Sequence, residues 1–194
     1  MTLNGLDLSM RLPKKFGGSV FLLLLVISGC SEKKTPFGLN SSLGTEEEYS
    51  VYRALIADTI FNRAETIVLL DSTQSWDFSN GEAPWKGEMP RLSEETLQNY
   101  LSVNRTRIPL KSISCPGKTC VLISSEKMAV WERLYPDAGG AVTVSRVGFN
   151  RACTQALVYW SVYWAPLAAY GSVILLEKVG GRWTVSQDLM IWIS

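Results

Sequence analysis

The C-terminal third of the chain restricts the fold most, because it contains four segments typical of β-strands. β-Branched and aromatic residues dominate these segments, which are residues 142–149, 154–164, 171–179 and 182–193. Gly180 and Gly181 separate the last two segments and suit a type I′ turn, which needs positive φ at both central positions. In the last segment, five apolar residues are predicted to share one side: Trp183, Val185, Leu189, Ile191 and Ile193. The sequence therefore predicts an antiparallel meander with one apolar face that another layer must cover.

Helix signals in the first half of the domain provide that cover. Thr45 and Glu48 form a capping box that predicts a helix over about residues 46–62, and Ser93 caps a second helix. Residues 126–135 predict a third helix, residues 67–70 and 121–123 short strands, and residues 74–91 a long loop. The predicted fold class is α+β, with N-terminal helices packed on a C-terminal antiparallel β-meander. This order of elements resembles cystatin-like or NTF2-like cones, which is an analogy of fold alone.

An apolar run near the N-terminus indicates export. The run from Val20 to Ile27 is far shorter than the ~20 residues of a transmembrane helix, and basic residues 11–15 precede it. We therefore predict a signal peptide over residues 1–29, with translation starting at Met1 or at Met10. Residues 30–44 are polar and contain proline and glycine, which predicts a tether, and residues 45–194 are predicted to form a single domain.

The end of the apolar run, Ile27-Ser28-Gly29-Cys30, resembles the lipobox of bacterial lipoproteins. The resemblance implies cleavage before Cys30 and attachment of diacylglycerol to its sulfur, with fatty acids such as palmitate as the membrane anchor. One acyl chain binds a membrane only marginally, so two or three chains are needed for a stable anchor. Ser31 stands where an aspartate would favour retention in the inner membrane, so the resemblance implies an outer-membrane location facing the periplasm.

Composition excludes several kinds of chemistry. The chain has no histidine, which excludes Ser–His–Asp and Cys–His nucleophile systems and histidine-ligated metal sites. Residues 1–29 contain three basic and one acidic side chain, so the remainder carries 16 basic and 17 acidic side chains. This balance gives no general attraction for phosphate backbones, and we predict no nucleic-acid partner. No metal site and no cofactor are predicted.

Cys115 and Cys120 flank a Pro-Gly pair and predict a small disulfide in an oxidising compartment. The interpretation of Gly117-Lys118-Thr119 as a phosphate-binding loop is rejected, because the required earlier glycine is absent. Cys153 then remains as a buried thiol, and pairing of Cys153 with either of the other two cysteines stays open.

A few polar residues are candidates for chemistry or for structural pairing. Asp71 ends a predicted strand and, with Glu177, is the carboxylate pair that a hydrolase would use. Arg146 alternates with apolar neighbours and is expected to point inward. Its candidate partners are Asp58, Asp71 and Glu177.

Five aromatic residues of one predicted hairpin form the strongest functional hint. Four of them occupy both faces of one predicted strand, one face of which should look toward solvent, so the five residues predict either core packing or an exposed platform for a glycan, peptide or protein. The five residues are Tyr159, Trp160, Tyr163, Trp164 and Tyr170.

The order of several segments resembles an uncharacterised family of bacterial lipoproteins and secreted proteins. The segments that carry this resemblance are residues 145–150 (SRVGFN), 154–159, 173–178, 181–185 and 192–194, with residues 49–52 and 70–73 upstream. Relatives often carry Cys-Gly pairs near residues 162–171, which this chain lacks. The family implies no activity and no catalytic residues.

These observations favour a lipid-anchored envelope protein that acts as a non-enzymatic binding or assembly module, with an envelope protein or glycan as its partner. The alternative is a carboxylate-based hydrolase of an envelope polymer. The sequence does not decide whether the protein is an enzyme, although the missing histidine makes that less favoured. No catalytic residue is assigned.

Overall fold

The computed structural model describes residues 45–58, 64–74, 83–165 and 167–194. The helices are α1 (Glu46–Asp58), a 3₁₀ helix (Pro84–Glu88), α2 (Glu94–Val103), α3 (Ser125–Met128) and α4 (Trp131–Leu134). The strands are β1 (Thr66–Leu70), β2 (Thr119–Ile123), β3 (Ala138–Val144), β4 (Gly148–Phe149), β5 (Gln155–Ala165), β6 (Ala168–Val179) and β7 (Arg182–Ile193). The fold class is α+β with a C-terminal antiparallel meander, as predicted.

The sheet also extends beyond the predicted meander. Its strand order is β2-β1-β3-β5-β6-β7, and β4 pairs with β5 off this path. Strand β1 pairs in parallel with both β2 and β3, whereas β3, β5, β6 and β7 are antiparallel neighbours. Residues 67–70 of β1 are buried, which explains why a continuous apolar run marks this strand.

Helices cover both faces of the sheet. On the first face, α1 packs Tyr52 and Leu55 against residues such as Val158 and Ile174. On the second face, α2 and the 3₁₀ helix pack against Leu157 and Leu175 of the sheet. Trp131 of α4 packs on Val68 and Ala141, also on the second face. The molecule therefore has three layers, and β5 lies in the middle of the central layer.

Local signals explain where the helices begin. Thr45 N–H donates to Glu48 Oε2 at 2.8 Å, and Glu48 N–H donates to Thr45 Oγ1 at 3.2 Å, so the predicted capping box is confirmed. Ser93 Oγ accepts from the Thr96 N–H at 3.2 Å and caps α2. The predicted end of the first helix falls on residues 59–62, which lie outside the described residues.

Other elements differ from the prediction. The expected helix over 126–135 is two short helices, α3 and α4, separated at residues 129–130. The expected loop over 74–91 contains the 3₁₀ helix, which buries Trp85, while residues 75–82 lie outside the described part.

The apolar residues of β7 do not share one side, contrary to the prediction. The pairing of β6 with β7 has two bulges, between Gly171 and Ser172 and between Leu175 and Leu176. Each bulge places an extra residue in β7 and reverses its alternation. As a result, Trp183 and Val185 pack on the first face, and Leu189 and Ile191 pack on the second face.

Close backbone contact joins α2 to β4. A Cβ on Gly148 would lie 2.4 Å from the Cα of Tyr100, so only glycine allows this approach. Tyr100 is fully buried beside it. Among the described residues, no helix has the length and apolarity needed to cross a membrane.

Candidate functional site

The five aromatic residues of the hairpin do not form one platform. Tyr159 and Trp160 are buried, with 4% and 1% of their surface exposed, because helices cover both faces of β5. Tyr163 lies on the second face, where its ring centroid is 6.4 Å from that of Trp192. The expectation that one face of this strand looks toward solvent is wrong. Its physical reason is the three-layer arrangement, which the β-strand pattern alone does not reveal.

Trp164 and Tyr170 form a stacked pair on the first face, in which Trp164 is exposed and Tyr170 is half-buried. Their rings stack with centroids 5.1 Å apart and an interplanar angle of 24°, and Trp164 is 43% exposed. Tyr170 makes an edge contact with the buried Trp160, with centroids 6.2 Å apart. The core therefore holds Tyr170 in place, and Tyr170 in turn holds the exposed Trp164 ring.

Two apolar residues extend this exposed surface at the end of the β5–β6 hairpin. Ile193 of β7 pairs directly with Tyr170 and is 71% exposed. Leu167, in the turn between β5 and β6, is 91% exposed. We call the surface formed by Trp164, Leu167, Tyr170 and Ile193 the hairpin end.

A carboxyl group lies farther along the same face. Asp188 pairs with Ile174, and its pKa is raised because neighbouring groups shield it from water, although interaction with the Ser172 hydroxyl opposes this rise. Burial, with a smaller contribution from the Asp188 charge, raises the pKa of Tyr170 to about 12. The Tyr170 hydroxyl is therefore a neutral hydrogen-bonding group at the border of the hairpin end.

The inward-pointing charge of Arg146 has a partner that the sequence did not identify. Arg146 Nε donates to Glu48 Oε1 at 3.2 Å, and its Nη2 donates to Glu48 Oε2 at 3.3 Å. Both side chains are buried, so Asp58, Asp71 and Glu177 were wrong as candidate partners. From the sequence, Glu48 was assigned only to the helix cap, so its ion pair with Arg146 was not predicted.

Further hydrogen bonds surround this ion pair. Tyr52 Oη donates to the Ser145 carbonyl at 2.8 Å, and Arg146 N–H donates to Asn104 Oδ1 at 2.9 Å. The Val147 N–H also donates to Glu48 Oε1 at 3.3 Å. These contacts join α1 and α2 to the segment between β3 and β4, so the cluster is a structural junction in the core.

The carboxylate pair of the alternative hydrolase does not form. Asp71 follows β1, and Glu177 lies on β6, with β3 and β5 between these strands. The strand register and the usual strand spacing separate the two residues by about 20 Å. Glu177 Oε2 instead accepts from Arg91 Nη2 at 2.5 Å. The structure therefore does not bring these two candidates together.

The predicted disulfide between Cys115 and Cys120 is present, with their Cα atoms 5.9 Å apart. It closes a turn in which Gly117 has φ of 70° and the Lys118 N–H donates to the Cys115 carbonyl at 3.1 Å. Cys153 is also disulfide-bonded, so its assignment as a buried thiol was wrong. Across the described ranges, no group of three or more cysteine, aspartate or glutamate side chains is arranged to hold a metal ion.

Sequence reasoning missed the tip of the candidate surface. Leu167 and Ile193 were not among the predicted contact residues, although Leu167 stands in the short connection between two predicted strands. An apolar residue in such a turn is the signal that could have pointed to it.

Cys30, the predicted lipidation residue, lies outside the described residues. No family model, curated protein or solved structure matches this chain.

Proposed function

We propose that this protein is a lipid-anchored component of the cell envelope whose domain binds through the hairpin end and catalyses no reaction. The observation that carries the binding role is the exposed ring of Trp164, which stacks on the half-buried Tyr170 while Tyr159 and Trp160 are buried. The leader and the sequence Ile27-Ser28-Gly29-Cys30 support the anchor. Ser31 supports an outer-membrane location facing the periplasm.

The hairpin end exposes apolar surface to water, which is unfavourable, and this supports a role in binding a partner. Burying apolar surface is worth about 25 cal/mol per Å², and Trp164, Leu167 and Ile193 leave much of their surface in water. Scattered apolar residues are ordinary on a protein surface, but contiguous ones with a rigid aromatic ring are typical of binding sites. Because Tyr170 is packed against the core, the ring of Trp164 loses little freedom when a partner covers it.

Asp71 and Glu177, the carboxylate pair of the hydrolase interpretation, do not lie close enough to act together. Asp71 and Glu177 lie on strands separated by two others, and Glu177 is engaged by Arg91. A carboxylate mechanism needs an acid and a second carboxyl at the same bond. We therefore propose the binding function and not the hydrolase.

Mass spectrometry of the mature protein tests the anchor. We expect the chain to begin at Cys30, with a thioether-linked diacylglycerol on its sulfur, and Cys30→Ser to release the protein from membranes. Because Cys115 and Cys120 are bonded to each other, the disulfide of Cys153 and the proposed thioether compete for the Cys30 sulfur. An uncleaved N-terminus, or a Cys30–Cys153 disulfide peptide in the mature protein, would contradict the anchor.

Affinity capture from envelope extract tests the contact surface. We expect Trp164→Ala to lose the material that the wild-type protein retains, because it removes the exposed ring. Val179→Ala is the matched control, since Val179 is 64% exposed at the end of β6 opposite to the hairpin end. Equal capture by both variants, with unchanged thermal unfolding, would refute the role of the hairpin end.

A further inference from the structure

We propose that the hairpin end rests in the membrane surface, so that its partner is the phospholipid bilayer itself. This inference depends on the proposed function, because it names the partner of the same surface. The residues that enter the interface are Leu167, Trp164 and Ile193, with Tyr170 at the border between lipid and water.

The composition of the hairpin fits lipid contact. Residues 156–176 include no Asp, Glu, Lys or Arg, so β5, its turn and most of β6 carry no charged side chain. A charged group in the interface would lose hydration, whereas apolar and aromatic side chains gain by leaving water. Trp and Tyr are also the residues that are enriched where the bilayer meets water. The hairpin end combines both properties at one end of the sheet.

When the domain is surrounded by water, Leu167 raises its free energy for two reasons. It is 91% exposed, and its φ is 64°, in the left-handed region that favours glycine or asparagine. A leucine at such a position stores backbone strain and leaves a large apolar side chain in water. Strain of this kind is concentrated at contact sites, where the side chain itself is needed. Insertion of Leu167 into lipid accounts for its presence at this position.

The shape of the surface favours a lipid layer over a small-molecule ligand. Leu167 protrudes at the turn, and Trp164, Tyr170 and Ile193 lie just behind it on neighbouring strands. A protruding apolar tip suits a deformable layer, into which interfacial segments sink by about 5–10 Å. A small-molecule site, by contrast, is usually a concave pocket.

The chain outside the described residues is long enough for anchor and tip to reach the same bilayer. Glu47 at the start of α1 contacts Lys178 and Trp183, at the end of the sheet opposite to the turn. Tyr170 lies eight positions along β6 from Lys178, a distance of about 26 Å. Residues 31–44, fully extended, span about 46–50 Å. The anchored Cys30 therefore does not prevent the turn from facing the membrane.

Fluorescence quenching by brominated lipids tests the contact directly. The mature protein is reconstituted in vesicles of phosphatidylethanolamine and phosphatidylglycerol that carry bromine near the headgroup. Trp164 is the exposed one of the tryptophans that the structure describes, so bromine should quench its emission. We expect Trp164→Phe to remove this loss of emission and Leu167→Ser to reduce it while Trp164 remains. Val179→Ser, at an exposed position at the opposite end of β6, should leave it unchanged.

Several outcomes would overturn the inference. Unquenched emission in anchored protein would show that the hairpin end stays in water, and equal quenching in the Trp164→Phe variant would show that Trp164 does not contact lipid. Emission of Trp164 that changes with envelope extract but not with lipid would assign the surface to a protein or glycan.

A failed anchor is recognised separately, by mass spectrometry of Cys30 in the same preparation. In that case the unanchored protein is mixed with the same vesicles. Quenching of Trp164 would still support the lipid contact, and its absence would overturn it.

Discussion

At the scale of single residues, the buried Glu48 side chain takes part in two interactions, a helix cap and an ion pair with Arg146. Glu48 closes the capping box of α1 through Thr45 and neutralises Arg146 in the core. Ion pairs of this kind contribute little net stability relative to an apolar pair, but an unpaired buried charge is costly. The position therefore tolerates loss of both charges better than loss of one.

Substitution Glu48→Gln should lower the free energy of unfolding by about 3–5 kcal/mol, because it leaves the Arg146 charge buried without a carboxylate. Urea denaturation measures the loss. The control is Glu177→Gln, which breaks the more exposed pair with Arg91 and should cost at most about 1 kcal/mol. Equal losses in the two variants would contradict the structural role of Glu48.

Tyr52 gives a prediction about alkaline pH. Burial, followed by the nearby Glu48 charge, raises the pKa of Tyr52 well above its usual value of 10.0. Above that value the unfolded chain releases the phenol proton while the folded chain keeps it, so the contribution of Tyr52 is complete below pH 10.0 and is lost as the pH rises. Denaturation at several alkaline pH values should show a steeper loss of stability for the wild type than for Tyr52→Phe. Parallel curves would be evidence against this burial.

At the scale of elements, the turn between β6 and β7 depends on backbone conformation alone. Gly180 and Gly181 have φ of 57° and 80°, which confirms the positive φ expected at both positions. A Cβ at either position would meet nothing within 4 Å, so sterically there is room for a side chain. Any cost of substitution therefore comes from the left-handed conformation.

Substitution Gly180→Val should lower stability by about 1–2 kcal/mol, the usual cost of the left-handed region for such a residue. Gly180→Asn should be nearly neutral, because asparagine followed by glycine is favoured in this turn. Thermal unfolding of the two variants provides the comparison. If both lose the same stability, packing rather than φ determines the requirement at this position.

The whole molecule explains which part of the fold the sequence could predict. Most strands, the helix caps and the β6–β7 turn were predictable because they depend on local patterns, as at Thr45 and Gly180. The predicted strand over residues 142–149 is divided into β3 and β4. The parallel pairing of β1 with β2 and β3 was not predictable, because it joins segments far apart in the chain. For the same reason, the sequence did not reveal that helices cover β5 on both faces and bury Tyr159 and Trp160.

Hydrogen exchange should reflect this arrangement of layers. Amides of β5 lie in a strand that is covered on both faces and paired on both sides, so they should exchange only through extensive unfolding. Strands β2 and β7 lie at the edges, and their amides should exchange faster. Native-state exchange followed by mass spectrometry measures the difference. Protection in β7 equal to that in β5 would contradict the strand order.

The two bulges of β7 have a consequence for proteins crowded together. This strand is twelve residues long and forms one open border of the sheet, which is the kind of border that invites another chain to join and start a fibre. The extra residues interrupt the even spacing of its outward amides and carbonyls, so a straight neighbour cannot bond along the full length. The irregularity thus helps to keep neighbouring copies of the protein separate.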